Sequence, residues 1–130
     1  PGPGPQNFSI VHALRVAKDG TVYVADPENP RVQQFTPDGK FVRQLVKTDT
    51  QFARNLALSA DPAQQFLYVG NGADIDIVDR NTLEIAGTIK PAGLTGAGHH
   101  LATDWKGNLY VAQTGMGMQK LSFKGIAGTR

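Results

Sequence analysis

Histidine carries the most telling chemistry in this sequence. The chain has 130 residues, three imidazoles (His12, His99 and His100) and no cysteine. Thiolate nucleophiles, disulfides and thiolate-bound zinc are therefore excluded, and any metal would be held by nitrogen and oxygen. His12 opens the stretch HALRVAKDGTVYVAD and His99 opens HHLATDWKGNLYVAQ, each histidine lying 11 residues before a tyrosine, Tyr23 or Tyr110. Imidazoles at the same place in two repeated units can converge on one ion. A catalytic zinc takes three such ligands and leaves a position open for water or substrate. In a middle copy, NLALSADPAQQFLYVGN, Asn55 occupies the corresponding place before Tyr68. The plainer role is that of solvated polar side chains bonded to backbone or water.

Other chemistries thin quickly. Gly93–Gly98 (GLTGAG) has neither the Lys-Ser/Thr of a P-loop nor a full dinucleotide fingerprint, and reads as a connecting loop. Ser9, Ser59 and Ser122 lack a nucleophile elbow, and no two carboxylates are spaced for acid and base work. Asp26, Asp61, Asp79 and Asp104 read as turn residues, since aspartate bonds its own backbone readily. Lys and Arg number 13 against 11 Asp and Glu, a net charge of +2. Arg15, Lys18, Arg31, Lys40, Arg43, Lys47 and Arg54 are interrupted by acids and show no interleaved aromatics, so no nucleic-acid partner is expected. No stretch approaches the roughly 20 apolar residues of a membrane-spanning helix, and no membrane partner is expected. The absence of cysteine leaves the compartment open.

The elements that must position the histidines are strands. The three tyrosines recur 45 and 42 residues apart. Around each, apolar residues alternate or cluster over four to six positions bounded by Gly, Asp, Asn and Pro. The pattern predicts strands at Ala13–Val16, Thr21–Asp26, Val32–Thr36 and Phe41–Val46, then Asn55–Ser59, Phe66–Gly70, Asp74–Asp79 and Leu83–Lys90, and finally Leu101–Asp104, Leu109–Gln113 and Met118–Phe123. Asp19-Gly20 and Asp38-Gly39 supply the positive φ of tight hairpins. Four antiparallel strands per unit of about 40 to 45 residues is the pattern of an all-β propeller, with blades near 8–47, 51–91 and 96–124 filling a single domain over 1–130. Tyr23, Tyr68 and Tyr110 then serve packing between blades.

The segments DGTVYVADPENPRVQQFTPDGKFVRQL and KGNLYVAQTGMGMQKLSF resemble NHL repeats, the units of six-bladed propellers. The middle copy is similar to related blades with a Tyr-Val-X-Asn strand and an Asp-Arg-Asn-Thr-Leu turn. The N-terminal PGPGPQNFSIV resembles the loop that enters an NHL blade. The resemblance implies a ring of six blades of which three are present, the C-terminal half of a longer chain. It implies a binding or interaction scaffold for a small-molecule or peptide ligand in the central channel, completed by the other half or by a second copy. Blades two apart are separated by a third of a turn, so His12 and His99 would face one axis with a third ligand outside this sequence. That arrangement is similar to the peptidyl-α-hydroxyglycine α-amidating lyases, zinc propeller enzymes, and implies a lyase-like alternative with His12 and His99 as metal ligands. Arg54, Asn55 and His100 are then channel-wall candidates, and His100 should alternate away from His99. Three departures weaken catalysis. Pro27 stands where those enzymes carry an arginine, His100 where they carry the acid that assists a structural calcium, and their tyrosine falls on no blade of this chain. Relatives of this kind imply a location outside the cytoplasm.

Overall fold

A computed structural model describes residues 2–48, 51–93 and 99–125. Eleven strands form three antiparallel sheets. The first sheet runs β1 (Ala13–Val16), β2 (Val22–Asp26), β3 (Arg31–Phe35), β4 (Phe41–Val46), and the second β5 (Phe52–Leu58), β6 (Phe66–Asn71), β7 (Asp74–Asp79), β8 (Glu84–Ile89). The third holds β9 (His100–Thr103), β10 (Leu109–Gln113) and β11 (Gly117–Leu121), in the order β11-β10-β9. Among the described residues this blade has three strands, β11 forms its outer edge, and an apolar cavity of about 670 Å³ opens beside that edge between Phe66, Ile77, Ile89, Leu121 and Phe123. Most of the loop Gly93–Gly98 lies outside the described residues.

The period-2 alternation of each strand decides how the sheets stack. Tyr23, Ala25 and Val32 on one face of the first blade share a buried cluster with Leu56, Leu58, Leu67, Val69 and Val78 of the second. The opposite face of the second blade, with Ala57, Tyr68 and Ile75, shares another with Leu101, Leu109 and Val111 of the third. Each blade thus joins its tyrosine face to the aliphatic face of the next, the packing expected of Tyr23 and Tyr68. Tyr110, at the same position of the third blade, is half-buried, with its hydroxyl 3.1 Å from Asp104 and Lys120 Nζ 5.6 Å from its ring centre. On the far side of the first blade Leu14, Val16, Val42 and Val46 are about half exposed.

Polar side chains clasp blade to blade. Arg80, in the turn after β7, donates from Nε to the Tyr23 hydroxyl (2.9 Å) and from Nη2 to Asp19 (2.7 Å), both in the first blade. Its Nη1 donates to the carbonyls of Ala63 and Gln64, so the buried guanidinium is bonded at all three nitrogens. Arg43 of β4 reaches back to the carbonyl of Arg80 at 2.8 Å, and Thr103 of β9 donates to Leu58 O at 2.7 Å.

Asp26 opens the turn at 27–30, its carbonyl accepting from Asn29 N at 3.2 Å, and does more than that. It is fully buried and pairs with buried Arg31 (3.2 Å), while accepting hydrogen bonds from Asn29 and from the backbone of Ser9 and Ile10. Arg31 in turn donates to the carbonyls of Gly2, Gly4 and Asn7, which folds the N-terminal segment over the first blade. Asp61, Asp79 and Asp104 do cap turns, accepting from the backbone of Gln65, Asn81 and Lys106.

Two outcomes follow from these clasps. Tyr23→Phe removes a partner from a buried charged donor and lowers stability by about 1–2 kcal/mol in urea unfolding. Burial opposes the Asp26 charge, yet Asn29, the two backbone donors and Arg31 outweigh it and hold the carboxyl below its ordinary value. Its contribution is therefore complete above the unfolded-state value of about 3.9 and disappears as pH falls below that and through the folded-state value. Asp26→Asn should cost about 3–5 kcal/mol at neutral pH, because Arg31 keeps a buried charge without its counter-ion. Urea unfolding of the variant should also depend less steeply on acid below about pH 4.

Candidate functional site

The site is assembled where the inner strands begin. His12 N donates to Ala25 O at 3.0 Å, and His99 N donates to Ala112 O, the equivalent carbonyl two residues after the repeated tyrosine. The two histidines therefore hold the same backbone place in blades one and three, as the repeat spacing requires. Their ring centres are 5.8 Å apart, edge to face.

Blade two contributes through a distortion. Between Phe52 and Leu56 the register of β5 against β6 shifts, four residues on β5 spanning two on β6. Ala53 within this bulge has φ +63°, a conformation that costs a residue with a Cβ about 1–2 kcal/mol. The bulge presents the Arg54 carbonyl to the His12 ring, whose Nδ1 lies 2.6 Å away. A carbonyl only accepts, so Nδ1 carries the hydrogen, and the neutral ring keeps a bare lone pair on Nε2. A hydrogen bond from one ring nitrogen to a backbone carbonyl is the support that metal-bound histidines commonly have.

The other candidates sort around this pair. The Arg54 side chain is exposed, and Asn55 is buried in the bulged strand. His100 is the first residue of β9 and pairs with Ala112, on the face of the third blade that also carries Tyr110 and Lys120. Because the strand starts at His100, strict alternation does not extend back to His99, and the two rings stand 5.0 Å apart, edge to face. His12, His99 and His100 are all exposed. Among the described residues no group of three or more His, Cys, Asp or Glu is gathered tightly enough to hold a metal ion.

Two imidazoles bound to one zinc through nitrogens about 2 Å from the metal have ring centres about 5–6 Å apart, so the His12–His99 separation suits a pair of ligands. Zinc held there would need at least one further donor. What the spacing of residues did not reveal was the role of the Arg54 backbone: the inner strand was expected from Asn55, yet pairing begins at Phe52 and crosses a bulge. Nothing in Ala53 signals it, since such bends usually carry glycine or asparagine.

No protein-family model matches the chain. Curated relatives include NHL repeat-containing protein 3 of Homo sapiens, 27% identical over 140 residues, and its Mus musculus counterpart, 29% identical over 140 residues; each alignment covers 88% of this chain and 35% of the relative. The chain spans about a third of the length of these relatives. Among solved structures, Kuenenia stuttgartiensis hydrazine synthase superposes with a TM-score of 0.66 at 19% identity, covering 86% of this chain and 32% of that one. The WD40 β-propeller domain of Doa1 superposes at 0.69 with 12% identity, covering 89% and 38%. The three sheets are blades of a β-propeller, and in sequence they are similar to NHL-repeat proteins.

Proposed function

We propose that the chain acts as a binding scaffold whose ligand is taken at the channel end of the inner strands, between His12, the Arg54 bulge and His99. The observation that carries this reading is the fixed His12 ring: its Nδ1 is held by the Arg54 carbonyl, which leaves Nε2 free as an acceptor beside the second imidazole. Exposed polar groups with a set orientation are what a channel-end site needs, and the blades behind them form a packed support. The similarity to NHL repeat-containing proteins supports a scaffold role, and the ring would be completed by further blades, from a longer polypeptide or from a second copy, against the half-exposed Leu14, Val16, Val42 and Val46.

A second reading is favoured by the imidazole spacing: zinc bound by His12 Nε2 and His99, with a third donor from another blade. Such an ion would act as a Lewis acid or water activator. Amidating-lyase turnover is the less favoured extension, because Pro27 occupies the arginine position and His100 the acidic one.

Zinc titration by calorimetry distinguishes the two. On the zinc reading the 130-residue chain, which supplies two of the donors, binds one Zn²⁺ through His12 and His99, and either His12→Ala or His99→Ala abolishes that saturable binding; binding by either variant that matches the unsubstituted chain contradicts it. For the scaffold, affinity capture with intact and His12→Ala/Arg54→Ala/His99→Ala baits should recover a partner with the first and lose it with the second. An unchanged set of partners would place the binding surface elsewhere.

A further inference from the structure

The opposite end of the inner strands carries a surface that the His12–His99 site does not use. His12, Arg54 and His99 mark where these strands begin, whereas the turns around Lys18, Gln64 and Trp105 mark the other end. A four-residue strand such as β1 separates its ends by roughly 10 Å. There a groove of about 460 Å³ crosses all three blades, bordered by Arg15 and Lys18 of the first, Ser59 and Gln64 of the second and Thr103 and Trp105 of the third.

Trp105 is the chain's only tryptophan and is 84% exposed. The turn does not require it. The repeat aligns Trp105 with Lys18, and the glycines that close the two turns, Gly20 and Gly107, share φ +86°. Lysine therefore satisfies the same backbone. An indole left in water at such a position offers a large, stiff area for a partner to cover.

The groove is also positively charged. Arg15 donates to the backbone carbonyls of Leu14 (2.7 Å) and Leu101 (3.3 Å), which aims its guanidinium across to the third blade. The Lys18 backbone is fixed by Gln64 at 2.7 Å. Among the described residues neither side chain forms an ion pair, and nor does Lys106, whose ammonium sits 4.9 Å from the Trp105 ring centre. The carboxylate in the groove wall, Asp104, is engaged by Lys106 N, Asn108 N, Asn108 Nδ2 and the Tyr110 hydroxyl.

We infer that this groove is an interaction surface for an acidic, extended peptide segment of a partner protein, with its carboxylates on Arg15 and Lys18 and a proline or apolar side chain covering Trp105. Paired charge and an aromatic anchor are the two features that give such surfaces rate and affinity. Single-stranded nucleic acid fits less well. It lays successive bases on successive aromatics, and this groove has one indole.

Because Trp105 is the only tryptophan, its emission reports on this groove alone. Titrating the 130-residue chain with a Glu-Pro-rich peptide of about ten residues should give a saturable emission change, weakened about tenfold or more by raising salt from about 50 to about 300 mM. Arg15→Ala/Lys18→Ala should weaken it by a similar factor, while Lys40→Ala, at an exposed turn away from the groove, leaves it unchanged. Trp105→Ala should lose affinity for the same peptide carrying a fluorophore, read by anisotropy. Circular dichroism melts confirm that each variant is folded. The inference is overturned by no saturable change, by an affinity indifferent to the Arg15 and Lys18 substitutions, or by tighter binding of an oligothymidylate than of the acidic peptide.

Discussion

The structure depends on burying the sheet faces where blades meet. Both faces of the second blade are covered, one by the Tyr23 and Ala25 face of the first blade and the other by Leu101, Leu109 and Val111 of the third. The repeat solves this by making the tyrosine face of one blade complementary to the aliphatic face of the next. Buried polar groups then set the alignment: Arg80 reaches Tyr23 and Asp19 only if the second blade sits at the correct height on the first. Apolar burial supplies the attraction and the guanidinium supplies the register.

That register is what brings the histidines together. His12 and His99 are 87 positions apart in sequence, yet identical backbone hydrogen bonds to Ala25 and Ala112 place them at the same level of their blades. The intervening blade contributes the bulge at Ala53, whose unfavourable backbone conformation is tolerated because the residue is buried within the core shared by the first two blades. The bulge presents the Arg54 carbonyl to one ring nitrogen of His12 and so fixes which nitrogen faces outward. The far end of the same strands has a different character, with an exposed indole and, among the described residues, Arg15, Lys18 and Lys106 outside any ion pair. One rigid array of strands therefore supports two chemically distinct ends.

Much of this was legible in the residues themselves. The tyrosine spacing and the Asp-Gly turns indicated strand order and blade number, and Ala13–Val16, Phe41–Val46, Asp74–Asp79 and Leu109–Gln113 have the bounds read from sequence. Local pattern carries this information because alternation and turn chemistry act over a few residues. The second role of Asp26 was hidden because its further partners, the backbone of Ser9 and Ile10, come from a segment with no periodicity of its own. The β5 bulge was missed because alanine does not announce a positive φ. The role of the Arg54 carbonyl was hidden for a simpler reason: a backbone atom has no residue type to read.

The arrangement at the His12 ring is the most direct point of attack. Long-range ¹H–¹⁵N NMR correlation of the neutral imidazoles reports which nitrogen carries hydrogen, and ring-to-ring nuclear Overhauser effects report proximity. The account predicts the Nδ1–H tautomer for His12, held by the Arg54 carbonyl, with cross-peaks between the His12 and His99 ring protons. An Nε2–H tautomer for His12 without such cross-peaks would contradict it.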